Sequence, residues 1–217
     1  MRSATKTKAA VYEIKITLRG GKPPVWRRVR VRSDITLFEL HTLLQTVMGW
    51  MDCHMHQFVA EGKAYGAADG EFPERANEKK VLLSQVLRNP KDELVYEYDF
   101  GDGWKHDVVL EQVREADPGC KYPYVLAGKR ACPPEDCGGV GGYAYLLAVL
   151  ADEEHPEHAE RAEWIGGSFD PEAFDAGEIN RAFHGGWYLP PAADAPRSKT
   201  ALPRQTTLKL GATRRRR

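Results

Sequence analysis

The pattern of apolar and polar positions marks a sheet-rich chain with a few clearly punctuated helices. Tyr12, Ile14, Ile16 and Leu18 alternate with Glu13, Lys15, Thr17 and Arg19, the period-two pattern of a half-buried strand. Gly20-Gly21-Lys22-Pro23-Pro24 predicts a loop. A return strand follows, with Val25, Val29 and Val31 on one face and Arg28, Arg30 and Arg32 on the other. Thr36 and Glu39 form a capping-box pair for a helix with Leu37, Leu40, Leu44, Val47 and Met48 at helical spacing. Gly49 supplies its stop. Hairpin, helix and further strands predict a β-grasp-like opening.

Residues 53–59 read as a strand, with His54, His56 and Phe58 on one face if it is regular. A polar loop over 62–77 leads to a short amphipathic helix within 79–88, closed by Asn89-Pro90. The most organised stretch is 96–106. Tyr96, Tyr98 and Phe100 alternate into it, and Trp104, His106, Val108 and Leu110 alternate out. Asp102-Gly103 between them predicts a hairpin. Residues 117–142 show no regular period and read as a long irregular loop, either functional or braced. Helices are expected over 142–151 and 156–164. Asp170-Pro171 signals the start of a third helical segment, through Phe174, Ile179 and Phe183. The fold class implied is α+β: one domain over 11–189, with a mixed or antiparallel sheet and a helical C-terminal part. The tails 1–10 and 190–217 are expected to be disordered.

At 217 residues and 42% hydrophobic content the chain can bury one good core. It contains no run of 18 apolar residues, which excludes a membrane-spanning helix from the expectations. The opening MRSATKTKAA has no apolar stretch after it, so no secretory signal is expected. With that, the four cysteines (Cys53, Cys120, Cys132, Cys137) suit a cytoplasmic protein better than a disulfide scaffold.

The formal net charge of zero conceals an asymmetry. Residues 190–217 carry eight Lys/Arg against one acid, and residues 1–10 carry three and none. Of the 31 basic and 31 acidic residues, 20 and 30 therefore fall in 11–189. A basic tail ending in Arg214, Arg215, Arg216 and Arg217 suits nucleic acid or an acidic partner, or is simply solvated. If the first two strands pair, Lys15, Arg19, Arg28, Arg30 and Arg32 share a face. That face either contacts phosphate backbone or is the wet side of a sheet.

The chemistry is less determined. Asp99-Phe100-Gly101 spells the metal-binding tripeptide of kinases, but no glycine-rich loop, strand lysine or His-Arg-Asp loop precedes it. Residues 139–144 fit G-x-G-x-x-A without the strand that a dinucleotide site needs, although a helix N-terminus there can hold an anion. Cys132 and Cys137 are separated by four residues and, with His54, His56 or His106, form a chemically reasonable metal set. Thiolates favour zinc. Asp99, Asp102, Glu135 and Asp136 instead suit a harder ion or orient the ligating histidines. These acids and His106 are also the candidate catalytic groups, although no nucleophile–base pair stands out. The bland alternative is buried cysteines, sheet histidines and turn-capping acids.

Three segments taken in order carry a resemblance. They are Trp50 with His54-Met55-His56-Gln57-Phe58, then Tyr98-Asp99-Phe100-Gly101-Asp102-Gly103-Trp104-Lys105-His106, then Cys132-Pro133-Pro134-Glu135-Asp136-Cys137-Gly138-Gly139 with Gly142-Tyr143. Over roughly 11–185 the chain resembles the plasmid pRiA4b ORF-3-like family, which the Val25-Trp26-Arg27-Arg28 strand also fits. The resemblance implies a single α+β domain borne by plasmids and insertion elements, and no particular activity. A resolvase label on some relatives finds no support, because Ser3, Ser33, Ser84, Ser168 and Ser198 sit in no arginine-rich constellation. Many relatives carry a cysteine after a Tyr-Pro pair where this chain reads Tyr122-Pro123-Tyr124-Val125. A metal scheme needing that cysteine has only Cys120 to turn to. Three readings stay open. One is an accessory or interaction domain whose basic tail touches nucleic acid or an acidic partner. The second is a metal-dependent, hydrolase-like enzyme, and the third a purely structural domain.

Overall fold

The alternating segments become strands of one eight-stranded sheet. The computed structural model describes residues 10–67 and 72–185. Both tail expectations, and with them Arg214, Arg215, Arg216 and Arg217, lie outside the described residues, Ala10 apart. The strands are β1 (Val11–Leu18), β2 (Trp26–Arg32), β3 (His56–Ala60), β4 (Lys63–Gly66), β5 (Ala76–Asn77), β6 (Glu93–Tyr98), β7 (Trp104–Arg114) and β8 (Tyr124–Lys129). Their order is β5-β4-β3-β6-β7-β1-β2-β8. All neighbours are antiparallel except β4 and β5, so the sheet is mixed. Five helices complete a single mixed α/β domain: α1 (Leu37–Met48), α2 (Leu83–Val86), α3 (Gly139–Leu150), α4 (His158–Trp164) and α5 (Ala176–His184). No described helix is long and apolar enough to cross a membrane.

α1 forms where its caps dictate. The Thr36 side chain accepts from Glu39 N (3.2 Å), and Glu39 Oε2 accepts from Thr36 N (2.7 Å), a reciprocal pair contributing about 1 kcal/mol. Gly49 ends the helix in the left-handed region at φ 81°. The helix buries Leu37, Leu40, Leu43 and Leu44 with the apolar sheet face, on which lie Ile14, Ile16, Val29, Phe58, Tyr96, Tyr98 and Trp104. Each such aliphatic side chain contributes roughly 1.5–3 kcal/mol by its removal from water.

Arg27 departs from the alternation of charges on β2. It shares the inner face with Val29, donating to the carbonyls of Val47 (3.0 Å), Trp26 (2.9 Å) and Lys129 (3.0 Å) and lying over the Phe174 ring. Burial lowers its pKa, and the carbonyls satisfy a charge that is otherwise costly to bury. One guanidinium thus joins the C-terminal turn of α1 to the edge strand β8.

Several expectations change. The hairpin–helix opening is present, and β6 and β7 stand between β1 and β3, the strand that follows α1. The strand expected from residue 53 begins at His56, leaving Cys53 and His54 in a loop. The helix expected within 79–88 divides into a 3₁₀ turn, Glu78–Lys80, and the one-turn α2. The loop expected over 117–142 contains β8, which owes its place to pairing with β2 across a register shift rather than to its own alternation. Asp170-Pro171 makes a turn, and α5 starts later, capped by Asp175 accepting from Glu178 N (3.0 Å).

Candidate metal centre

The turn between β6 and β7 is built around Asp99. Its φ of 55° is in the left-handed region, which aspartate tolerates, and its Oδ1 accepts from Gly101 N (2.9 Å) and Asp102 N (3.3 Å). That bonding leaves Oδ2 to face outward. Asp102 Oδ2 accepts from Gly138 N (3.1 Å), tying the turn to loop 132–137. The approach is so close that a Cβ at Gly139 would overlap the Asp102 carbonyl oxygen. Trp50 binds the same loop from beneath, donating Nε1–H to Pro133 O (2.9 Å) while stacking on Tyr98 at 4.9 Å between centroids. The segments around 54, 99 and 135 therefore converge at one end of the sheet.

At this convergence His54 Nε2 is buried and makes no hydrogen bond among the described residues. It lies 3.3 Å from Asp136 Oδ1 and 3.7 Å from Asp99 Oδ2. His54, Asp99 and Asp136 each offer a ligand atom within 4.8 Å of the others, as do Cys53, His54 and Glu135. The two sets differ in availability. Glu135 Oε1 accepts from Tyr98 OH (2.5 Å) and from the Cys53 thiol (3.4 Å), and Oε2 from Met51 N (3.1 Å). Glu135 is thus committed to bracing. Burial, reinforced by Glu135, raises the Cys53 pKa, which disfavours the thiolate. His54, Asp99 and Asp136 retain free acceptor capacity facing one point.

A third set, His41, Asp52 and His56, lies beside them. Here the hydrogen bonds close a ring. Asp52 N donates to Gln45 Oε1 (3.0 Å), and Gln45 Nε2 donates to Tyr96 OH (2.9 Å). The Tyr96 hydroxyl then has one acceptor in reach, His41 Nδ1 (2.8 Å), which leaves His41 Nε2–H to donate to Asp52 Oδ1 (2.9 Å). Burial lowers the His41 pKa, consistent with a neutral ring. Parallel to it, His56 stacks at 3.5 Å and bonds the buried Glu78 carboxylate (2.8 Å). This second histidine site is already internally satisfied. His41, Asp52, His54 and His56 all line one cleft of 480 Å³.

Other candidates fall elsewhere. His106 is fully buried on the inner sheet face, with both ring nitrogens unpartnered and Trp50 edge-on at 5.3 Å. Burial depresses its pKa to about 4. Cys132 contacts Met48 Sδ (3.5 Å). Burial raises both thiol pKa values, that of Cys137 to about 12. Neither cysteine, nor His106, nor Asp102 belongs to a metal-competent set among the described residues.

The expected basic face is a face of ion pairs. Arg19 meets Asp107 (2.6 Å), Arg28 meets Glu111 (2.5 Å), Arg30 meets Glu13 (3.2 Å), and Arg32 meets Asp34 (2.6 Å). Lys15 lies 5.5 Å over the Trp26 ring. The pairing acids come from β1, β7 and the β2–α1 turn, which a reading of single strands does not bring together.

Sequence reasoning passed over His41, Asp52 and Cys53. One signal was available: His41 and Gln45 occupy the apolar stripe of α1 at positions i+4 and i+8 from Leu37. Two polar residues on a buried helix face require partners.

A mixed α/β domain whose hairpin turn, histidine loop and cysteine-bearing loop meet at one sheet end defines the class of protein. The family model for plasmid pRiA4b ORF-3-like protein matches residues 10–178, and the chain belongs to that family. The chain is 38% identical over 177 residues to the uncharacterized protein y4hQ of Sinorhizobium fredii (strain NBRC 101917 / NGR234), covering 80% of this chain and 91% of that one. It is also similar to the crystal structure of the protein of unknown function MM3350 from Methanosarcina mazei Go1. There the TM-score is 0.73 and the identity 41%, over 79% of this chain and 98% of that one.

Proposed function

We propose that this chain is a metal-dependent, hydrolase-like protein that holds one divalent cation between His54, Asp99 and Asp136. The observation that carries the reading is the buried His54 Nε2, which faces two carboxylate oxygens and makes no hydrogen bond among the described residues. One imidazole with two carboxylates suits manganese or zinc, and the exclusion of both loop cysteines from the set moves the preference toward manganese. Three protein ligands leave coordination positions for water, whose pKa such an ion lowers. Asp52 lines the cleft together with His54 and keeps a carboxylate oxygen beyond the one His41 binds, so it would be the group to accept a proton there. Calorimetric titration of EDTA-stripped protein with Mn²⁺ and Zn²⁺ tests the reading. Saturable one-site binding that Asp136→Asn weakens at least about tenfold is expected. Absence of binding to the wild type overturns it.

A second reading, an accessory domain whose basic tail contacts nucleic acid, draws its support from the charge of 190–217. Gel-shift titration across salt, with and without 190–217, tests it. Unchanged affinity and salt slope on truncation overturn it.

A further inference from the structure

Two cations, Arg75 and Lys79, line the rim of the histidine cleft. The Arg75 guanidinium lies 3.6 Å from the Phe72 ring centroid and 5.1 Å from that of Phe100, the residue following Asp99. Lys79 Nζ lies 4.6 Å over the Phe38 ring. Neither has a carboxylate partner among the described residues, whereas Arg19, Arg28, Arg30, Arg32 and Arg114 each have one. Stacking on aromatic faces restrains the two cations and leaves the edge N–H donors of the guanidinium without a hydrogen bond among the described residues. Gly66 backs the Arg75 stem so closely that a Cβ there would stand 3.2 Å from Arg75 Cδ. The side chain is thus seated by its surroundings.

Charge decides what such a rim receives. A divalent ion between two ionised aspartates is locally neutral, and of the carboxylates lining the cleft Asp52 is bonded by His41 and Glu78 by His56, so Arg75 and Lys79 are the charges there without an ionic partner among the described residues. A planar monocarboxylate needs one of them. A tetrahedral dianion uses both, with one oxygen left for the metal.

We propose that the cleft takes a phosphomonoester, held by Arg75 and Lys79 with its phosphorus group toward His54. This inference rests on the metal-centre reading for its chemistry. The phosphate contact itself rests on the two rim cations.

Inorganic phosphate is the probe, titrated calorimetrically into Mn²⁺-loaded and EDTA-stripped full-length protein, with acetate as the carboxylate comparison. In the Mn²⁺-loaded protein, ³¹P line broadening reports proximity to the ion. The expected result is phosphate binding in preference to acetate, with affinity reduced about tenfold in Arg75→Met and less in Lys79→Met. Arg75→Lys is expected to recover part of the loss, and Mn²⁺ affinity to stay unchanged in all three. Metal binding without phosphate binding, or phosphate affinity indifferent to both substitutions, overturns the inference and leaves the metal centre standing. Arg75-dependent phosphate binding by protein that takes up no metal upholds the inference and removes the metal centre.

Discussion

His54 Nε2 and Asp136 Oδ1 stand 3.3 Å apart without hydrogen bonding, one on the loop before β3 and the other on the loop before α3. The aspartate is held there in the left-handed region at φ 60°, as Asp52 and Asp99 are at 54° and 55°. Such conformations cost about 1 kcal/mol or more each and persist where surrounding structure enforces them. Three carboxylates so held at one end of the sheet set the following expectations.

Trp50 fastens the Asp136 loop. Trp50→Phe keeps the stacking on Tyr98 but removes the donor to Pro133, so a loss of about 1 kcal/mol in chemical denaturation is expected. Trp50→Ala also empties its core site, with an expected loss of about 3–5 kcal/mol.

The ring through Asp52, Gln45, Tyr96 and His41 is expected to act as a unit. Tyr96→Phe strands Gln45 Nε2 and His41 Nδ1 together, for a loss of about 1–3 kcal/mol. A double-mutant cycle of Tyr96→Phe with Gln45→Met is expected to give a coupling of about 0.5–3 kcal/mol. Additive losses would contradict a closed ring.

His106 makes stability depend on pH. Its folded pKa of about 4 lies below the ordinary value of 6.5, so the unfolded chain binds the extra proton first as pH falls. Its contribution is complete above pH 6.5 and is lost progressively down to pH 4, by about 3 kcal/mol in total. Denaturation midpoints of wild type and His106→Phe across that range measure it. The variant is expected to show the flatter profile.

Gly142 lies in the first turn of α3, where an added Cβ would overlap the Cys137 carbonyl oxygen. Gly142→Ala is therefore expected to displace loop 132–137 and to weaken metal binding with the β6–β7 hairpin intact. Calorimetry and hydrogen exchange read the two effects separately.

The framework was legible where local chemistry is self-sufficient. The Thr36–Glu39 box and Gly49 bound α1, and alternation through 96–110 marked the β6–β7 hairpin. β8 was not legible, because its identity comes from pairing with β2. Nor was the direction of Arg27, a charge on the inner face satisfied by the Trp26 carbonyl and by the distant carbonyls of Val47 and Lys129. At the site, His54, Asp99 and Asp136 were among the residues singled out. Their separation from the more conspicuous Cys132, Cys137 and His106 depended on which atoms remain free, a property of the folded hydrogen-bond network rather than of residue type.

Metal content by elemental analysis, after reconstitution with Mn²⁺ or Zn²⁺ and dialysis, tests the central claim most directly in wild type, His54→Asn, Asp136→Asn and the pair Cys132→Ser, Cys137→Ser. The expected result is stoichiometric metal in the wild type and in both cysteine variants, and loss of metal in His54→Asn and Asp136→Asn. Metal lost from the cysteine variants and kept by the other two, or no metal in the wild type, would contradict the account.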